Sequence, residues 1–376
     1  MNKPRILLST GIFPPAIGGP SLVVERLANE LTKREYKCSV LTFGEKDSSE
    51  RNYQVERVLF SNKAARSIKL YRKTFKLAKE ADIIYAFDTY TNGFTAALAA
   101  KKLKKPLILR FTGDSAWEYA FNFGKTKDDI LAFQKKPQRF VVKLKIKRRN
   151  FILKTANKIV TDCEFLKKVL KEIGIDEKKI KVINNAVEQV EENNSAPKEK
   201  SILTMARLVP WKGIDTLIEL MPAIKKRVPK AKLVIAGDGP ERKSLEKLAK
   251  ETGADSIVFA GKVVDPVKKQ KLFQNADIFA LNTFYEGMSN SILEAMASGK
   301  AIITTNQGGN PELINGKNGI LVDYNNAEQI ESAIIELLSN SELSKKLSEN
   351  ARETSKKYTW DALLEKNIEV IKKILG

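Results

Sequence analysis

The 376-residue chain contains no histidine and only two cysteines, Cys38 and Cys163. Without histidine it has no Ser-His-Asp triad, no histidine general base and no Cys/His zinc site. Two cysteines this far apart also favour a reducing compartment over a disulfide framework. Several large classes of hydrolase and metalloprotein are therefore excluded.

Long apolar runs are missing as well. No window reaches the roughly 18 unbroken apolar residues that a transmembrane helix requires. The first residues, MNKPRILLST, enter a Pro/Gly loop without a signal-peptide core. We therefore expect a cytoplasmic protein.

Motifs for common cofactors are absent too. The pair Gly18-Gly19 follows a strand and precedes a helix, but it is not the GxGxxG pattern of a redox dinucleotide site. Neither a DxD pair in a suitable loop nor a histidine cluster indicates a bound metal. We expect no cofactor and no metal.

Positive charge is abundant and unevenly distributed. The net charge is +21, of which residues 1–190 carry +19 and residues 191–376 carry +2. The densest basic stretch spans 135–154, and a second cluster spans 66–79 with apolar residues between its bases. Such segments are typical of surfaces for anionic lipid, a polyanionic acceptor or nucleic acid, although solvated lysines on an ordinary surface remain an alternative.

The order of predicted elements indicates two α/β domains. Short apolar strands such as RILLST, KCSVLTF and ADIIYAF alternate with helical patterns in the first half, and the alternation restarts at SILTMAR. Between the halves, residues 187–200 are polar and aperiodic, so we place the interdomain linker there. Both halves are predicted to be parallel sheets covered by helices.

Two glutamates near the end of the second half give the best clue to function. Glu286 follows the strand ADIFALN, and Glu294 lies about one turn into the next helix. The backbone N–H groups of Ser289, Asn290 and Ser291 begin that helix and favour an anion. Two carboxylates beside such amides suit a ligand with hydroxyls and phosphate. Alternatively, Glu286 caps a turn and Glu294 is a solvated helix residue.

Three further loops follow predicted strands. Arg207 and Lys212 bracket a helix start in ARLVPWKGID, as a clamp for a diphosphate would require, although a solvated basic loop is the alternative. Gly237 begins the turn GDGPE, where the backbone can approach a ligand or simply turn. Gly308-Gly309 and Glu312 follow the next strand, again at a helix start.

These segments carry a resemblance to a known family. The series FPPAIGG, ARLVPWKGIDTLIE, IAGDGPE, FAGKV, FYEGMSNSILEAMASGKAIITT, GGNPELI and NGILV resembles, in order and spacing, the retaining glycosyltransferases of family 4. The resemblance implies the GT-B fold, in which two Rossmann-like parallel-sheet domains face a central cleft and a C-terminal helix crosses back. It divides the chain into an acceptor domain (1–190, with the returning helix 358–376) and a nucleotide-sugar domain (195–357).

The resemblance also assigns roles to residues. It implies that Glu286 contacts the donor sugar, that Glu294 holds the ribose hydroxyls, and that Arg207 and Lys212 bind the diphosphate. Gly19 would lie beneath the phosphates, and the backbone near Lys262 and Val263 would border the base. The remaining predicted donor-binding residues are Gly18, Gly237, Gly287, Met288, Ser289 and Asn290.

One departure concerns the acceptor domain. Family members commonly carry a histidine after a middle strand, and the corresponding region here is LRFTGDSAWEYA, with Asp114 and Glu118 as the available acids. We predict that Asp114 helps to position the donor or the acceptor; a turn-capping role is the alternative.

The expected activity is a retaining, metal-independent transfer of a sugar from a nucleoside-diphosphate sugar to an acceptor hydroxyl. We expect a lipid-linked or saccharide acceptor in the synthesis of glycolipid, lipopolysaccharide or cell-surface polysaccharide. The segment 135–154 would dock on an anionic membrane, which makes the protein peripheral on its cytoplasmic face. The alternatives are a nucleotide-sugar epimerase or glycogen-type phosphorylase of the same fold, or a basic nucleic-acid-binding protein. No nucleic-acid motif supports the last, so we expect no nucleic-acid partner.

Overall fold

The chain divides into two compact units. Unit 1 comprises Met1–Asn184 together with Asp361–Gly376, and unit 2 comprises Asn185–Trp360. The computed structural model describes residues 3–16, 19–44, 50–59, 62–190, 200–253 and 255–376. Most of the predicted linker, residues 191–199, lies outside these ranges, as does Gly18.

Unit 1 is built on a seven-stranded, fully parallel sheet of order β3-β2-β1-β4-β5-β6-β7. Its central strands are mostly apolar and almost fully buried, because helices cover both faces of a parallel sheet. The strands are β1 (Arg5–Ser9), β2 (Lys37–Phe43), β3 (Gln54–Val58), β4 (Ile83–Ala86), β5 (Leu107–Phe111), β6 (Lys158–Thr161) and β7 (Ile180–Val182).

Among the described residues, seven α-helices lie between these strands in the chain. They are α1 (Gly19–Lys33), α2 (Lys63–Glu80), α3 (Thr91–Leu103), α4 (Ser115–Asn122), α5 (Ile130–Lys135), α6 (Phe140–Thr155) and α7 (Glu164–Glu172). Helix α3 packs between α2 and α6, and α6 also contacts α4, so these helices form one layer.

Unit 2 contains a six-stranded parallel sheet of order β10-β9-β8-β11-β12-β13. Its strands are β8 (Lys200–Met205), β9 (Ala231–Ala236), β10 (Ile257–Gly261), β11 (Ile278–Leu281), β12 (Ala301–Thr305) and β13 (Ile320–Val322). Buried side chains such as Ile202, Leu233 and Ile278 form the core between this sheet and its helices. The two predicted parallel sheets are thus confirmed.

In the described part of unit 2, five helices alternate with the strands and two more follow the last strand. They are α8 (Ile214–Arg227), α9 (Arg242–Glu251), α10 (Pro266–Gln274), α11 (Asn290–Ala297), α12 (Asn310–Leu313), α13 (Ala327–Ser339) and α14 (Ser341–Ser355). Local signals set their starts: Asp265 caps α10 by accepting from the Val267 amide at 2.9 Å, and Pro266 occupies the first turn.

The last helix, α15 (Trp360–Leu375), contributes residues from Asp361 onward to unit 1. Buried Asn367 accepts a hydrogen bond from the Tyr85 hydroxyl at 2.6 Å, and Arg34 pairs with Glu365. Burial raises the pKa of Tyr85 to about 12, so this hydroxyl remains a donor. Among the described residues, no helix is both long and apolar enough to cross a membrane.

Each sheet has one point where the strand order reverses. In unit 1, β1 lies between β2 and β4; in unit 2, β8 lies between β9 and β11. The chain leaves the first strand of each sheet to one side and later returns on the other side. Connections therefore diverge there and leave a crevice at the carboxyl ends, where open α/β sheets bind ligands.

Candidate functional site

The loops after β8 and β11 border the switch point of unit 2 and bring two predicted residues together. The Lys212 ammonium group contacts the Oε1 atom of Glu286. Lys212 is only 7% exposed, whereas the Glu286 side chain is partly open. A buried lysine requires such a partner, since an isolated ammonium is costly to desolvate. The contact fixes both groups at the mouth of the crevice.

A network of amide side chains holds the Lys212 loop in place. Gly213 is the N-cap of α8 and has a φ of 49°, and a Cβ there would lie 2.3 Å from the Asn282 amide nitrogen. That amide donates to the Gly213 carbonyl at 3.0 Å and to Asn325 Oδ1 at 2.7 Å. Asn282 and Asn325 were missed by the sequence reasoning; the signal was an asparagine directly after the apolar strand DIFAL.

A glycine also positions the Glu286 loop. Gly308 has a φ of 61°, and a Cβ there would lie 2.1 Å from the carbonyl oxygen of Glu286. The Gly309 amide donates to the same oxygen at 3.1 Å. The loop after β12 therefore packs directly against the backbone of Glu286, and this accounts for Gly308.

A helix, α11, does begin at the turn for which anion binding is predicted. Ser289 is the N-cap, and its hydroxyl accepts from the Ile292 amide at 3.4 Å. Gly287 and Met288 before it are buried, and the Met288 carbonyl accepts from the Asn185 side chain at 3.0 Å. Asn290 is the first helical residue. The first amides of α11 thus lie close to Glu286 in sequence.

Glu294 lies in α11 and forms an ion pair that sequence reasoning did not predict. Its Oε1 atom accepts from Lys269 of α10 at 2.6 Å. Both side chains are partly exposed, so water or a ligand hydroxyl can compete with the lysine. The Glu294 carboxylate, which is predicted to hold a ribose, is thus already oriented by Lys269.

In the part of unit 2 that the structure describes, the remaining residues predicted to bind the donor form no ion pair like those of Lys212 and Glu294: they are at least partly exposed or serve loop packing. Arg207 is exposed, with its guanidinium 5.8 Å from the centre of the Trp211 ring. A Cβ at Gly237 would lie 1.8 Å from the Ala206 carbonyl oxygen, so close packing of two loops already requires this glycine. Lys262 and Val263 directly follow β10, with Lys262 exposed.

In unit 1, Gly19 is the first residue of α1. Asp114 is in a different environment from the one predicted. It is fully buried and caps α4, accepting from the Ala116 amide at 2.9 Å. Its other oxygen accepts from Gln134 at 2.9 Å and pairs with Arg149. Asp114 therefore caps a helix, as the alternative interpretation holds, and does not position a substrate, because both of its carboxylate oxygens are bonded to protein groups.

A cavity of about 370 Å³ lies at the switch point of unit 1. Its walls include Gly11 after β1, Asp88 after β4 and Thr112 after β5. Sequence reasoning missed Asp88, although an acid directly after the apolar strand ADIIYAF was the available signal. Glu118 also lines this cavity, and its Oε2 accepts from the Tyr90 hydroxyl at 2.7 Å.

Comparison with known proteins places this geometry in a family. The model described as Glycosyl transferases group 1 matches residues 185–354, and the one described as Glycosyltransferase Family 4 matches residues 17–189. Together the two models match most of the chain, so the protein is a glycosyltransferase. The chain is a member of the group 1, family 4 glycosyltransferases.

Individual relatives agree with this membership. The uncharacterized glycosyltransferase MJ1178 of Methanocaldococcus jannaschii is 29% identical over 370 residues, covering 94% of each chain. A GDP-mannose-dependent alpha-(1-6)-phosphatidylinositol monomannoside mannosyltransferase of Mycobacterium tuberculosis is 35% identical over 177 residues, covering 44% of this chain and 46% of its own.

The fold matches solved structures along nearly the whole chain. Alr3699/HepE of Anabaena, solved in complex with UDP, superposes with a TM-score of 0.75 at 19% identity, covering 98% of this chain and 100% of that one. The fold is GT-B, as predicted.

Proposed function

We propose that this glycosyltransferase transfers a sugar from a nucleoside-diphosphate sugar to an acceptor hydroxyl, with retention at the anomeric carbon and without a metal. The observation that carries the proposal is the contact between Lys212 and Glu286 at the switch point of unit 2. It supplies a cation for the diphosphate and a carboxylate for the sugar hydroxyls at one place. The complex of HepE with UDP and the GDP-mannose dependence of a relative support a nucleotide-sugar donor.

The two side chains have complementary capacities. An ammonium group has three N–H donors, so Lys212 can contact Glu286 and a phosphate oxygen at once. The carboxylate of Glu286 has a second oxygen to accept from a sugar hydroxyl. The first amides of α11 add donors for negative charge. These groups hold the diphosphate and the sugar on either side of the bond that breaks.

In the proposed reaction, the bond between the anomeric carbon and the phosphate oxygen breaks as the acceptor oxygen bonds to the same face of that carbon. The departing phosphate takes the proton of the acceptor hydroxyl. Negative charge grows on the phosphate as it leaves, so Lys212 and Arg207 bind the transition state more strongly than the ground state. No enzymic nucleophile is required in this scheme.

The test has three parts. Thermal unfolding with a panel of UDP-, GDP- and ADP-sugars identifies the donor, because a ligand that binds the folded state stabilises it. Transfer to candidate acceptors is then followed with and without EDTA, and NMR of the product gives its anomeric configuration. Stabilisation by no donor, an inverted product or loss of transfer in EDTA would each overturn the corresponding part of the proposal.

We also propose an anionic membrane as a partner, bound through the layer of α2, α3 and α6. These helices carry fifteen lysines and arginines and one acid, Glu80. On α6, Phe140 and Leu144 are 75% and 49% exposed and lie one turn apart, next to exposed Lys143 and Lys147. Exposed apolar groups beside lysines are typical of helices that enter the headgroup region. One relative is named the lipopolysaccharide core biosynthesis glycosyltransferase LpsE, from Rhizobium meliloti, and this name fits an acceptor at a membrane.

Vesicle flotation tests this partner. Each base near an anionic leaflet contributes about 1 kcal/mol, so the variant K143E/K147E should lose most of its binding to vesicles containing phosphatidylglycerol. The control K366E/K372E makes the same charge change on exposed positions of α15 and should retain binding. Equal flotation of both variants, or no preference for anionic lipid in the unaltered protein, would refute the membrane as partner.

A further inference from the structure

The cavity at the switch point of unit 1 has the composition of a sugar-binding site. It is formed at the carboxyl ends of β1, β4 and β5, where the strand order reverses. Open α/β sheets bind ligands at this edge. At about 370 Å³, it falls in the range of small-molecule pockets.

Asp88 is held rigidly in the wall of this cavity. Its Oδ1 atom accepts from the amides of Tyr90 at 2.8 Å and Gly93 at 3.0 Å. Gly93 is required, because a Cβ there would lie 1.8 Å from the Asp88 carbonyl oxygen. A Cβ at Gly11 would lie 3.2 Å from Oδ2, and the Gly11 backbone also hydrogen-bonds this carboxyl. The carboxylate is thus fixed before any ligand arrives.

Asn92 provides a second hydrogen-bond acceptor in the same wall. It is 1% exposed, and its Nδ2 donates to the Thr10 carbonyl at 2.8 Å, which orients the amide. Within the described ranges its Oδ1 has no hydrogen-bond partner. A buried acceptor without a partner costs about 1–3 kcal/mol, a cost that a ligand hydroxyl would remove.

Much of the remaining lining fits a polyhydroxylated ring, beside two arginines, Arg66 and Arg110. Glu118 adds a carboxylate, and Thr10, Thr89 and Thr112 line the cavity with hydroxyl-bearing side chains. Phe43, Phe87 and half-exposed Tyr90 add aromatic surface. Carboxylate and amide oxygens accept from sugar hydroxyls, and aromatic rings cover the apolar C–H face of a sugar.

We infer that this cavity binds a sugar ring of the acceptor, with Asp88 Oδ2 and Asn92 Oδ1 accepting hydrogen bonds from its hydroxyls. That this sugar belongs to the acceptor rests on the proposed function, whereas the binding of a sugar to the cavity does not. The inference makes the acceptor a saccharide, free or lipid-linked, whose terminal ring enters the cavity.

Binding and kinetics of matched variants test the inference. Saturation-transfer NMR with methyl glycosides of neutral hexoses and hexuronic acids detects binding without any nucleotide sugar. The variants D88N and Y90A should weaken binding of the preferred glycoside, and raise KM for the acceptor, by at least about tenfold. Thermal stabilisation by the nucleotide should not change. The control D82N alters an exposed aspartate at the opposite end of β4 and should behave as the unaltered protein.

The possible outcomes separate the two proposals. Absence of binding by every glycoside, or equal binding and acceptor KM in D88N, Y90A and D82N, overturns the sugar site even if transfer is observed. Binding of a glycoside that D88N weakens, in a protein that transfers no sugar, supports the site and refutes the proposed activity. Tyr90 is exposed, so Y90A keeps the test valid if D88N unfolds.

Discussion

The Lys212 ammonium group contacts the Glu286 carboxylate, although the two residues are 74 positions apart in the sequence. Parallel pairing of β8 with β11 brings their loops together. Removing one partner leaves the other as an uncompensated, partly buried charge. The pair therefore acts as a unit in the proposed site.

We expect K212A and E286A each to lower kcat/KM for sugar transfer by about 10²–10³-fold, because each removes a group that stabilises charge or orientation in the transition state. The double variant should lose much less than the product of the two single losses, since the residues act together. Steady-state kinetics on all three variants check this. Transfer within about twofold of the unaltered protein in either single variant would contradict the assignment.

Sequence patterns were sufficient for most of the fold. Apolar runs such as those of β1, β4, β11 and β12 predicted strands, because parallel sheets are buried on both faces. The edge strand β3 has the polar sequence QVERV and was not predicted, nor was the three-residue β13. Their pairing depends on neighbouring strands and leaves little local signal.

The candidate site was only partly predictable. Glu286 and Lys212 were selected separately, but their contact depends on strand order, which no local pattern contains. Asp114 was assigned to the substrate because it lies in the loop where family members carry a histidine. Its pairing with Arg149, which is 35 positions later, is not contained in any local pattern. Asp88 was overlooked, although it follows a strand end as Glu286 does.

Substitutions at Glu294 and Lys269 should separate nucleotide binding from the ion pair. E294A removes the carboxylate proposed to hold the ribose, and we expect nucleotide affinity to fall by about 10–100-fold, the range for hydrogen bonds to a charged group. K269A removes only the competing lysine, so affinity should be unchanged or higher. Isothermal titration with the preferred nucleoside diphosphate measures both. Equal losses in the two variants would show that the ion pair, and not the carboxylate alone, is required.

Gly308 and Gly253 form a matched pair, since both have positive φ, 61° and 64°. An alanine at either position costs about 1–2 kcal/mol of stability from backbone strain. At Gly253 the added methyl meets open space, whereas at Gly308 it collides with the Glu286 carbonyl. We expect G308A alone to lower transfer activity at a temperature where both variants are folded. Unchanged activity in G308A would mean that the loop after β12 does not fix Glu286.

Asp114 and Asp129 separate a buried ion pair from a simple helix cap. Both cap helices, but Asp114 also pairs with buried Arg149, whereas Asp129 accepts from the backbone amides of Leu131 and Ala132 at 2.8 and 2.9 Å. We expect D114A to lower the free energy of unfolding by about 3–5 kcal/mol. D129A should lower it by about 1 kcal/mol. Urea unfolding measures both, and similar losses would argue against an energetic role for the Arg149 pair.

The stability of the protein should depend on pH through Asp88. Burial raises the pKa of this carboxyl in the folded chain, whereas the unfolded chain has the ordinary value of about 3.9. Between these values the folded state binds more protons, so the free energy of unfolding falls as pH rises through the folded pKa. Asparagine mimics the neutral acid and keeps an oxygen for the amides of Tyr90 and Gly93. D88N should therefore be more stable than the unaltered protein at pH 7, by about 1.4 kcal/mol for each unit by which the pKa is raised, and the difference should vanish near pH 4.

Urea unfolding of both proteins between pH 4 and 8 measures this difference in stability. If D88N is instead less stable than the unaltered protein at pH 7, and this loss shrinks on acidification, the amides stabilise the charged form of Asp88. If D88N is more stable but binds sugar more weakly, Asp88 is kept for function and not for stability.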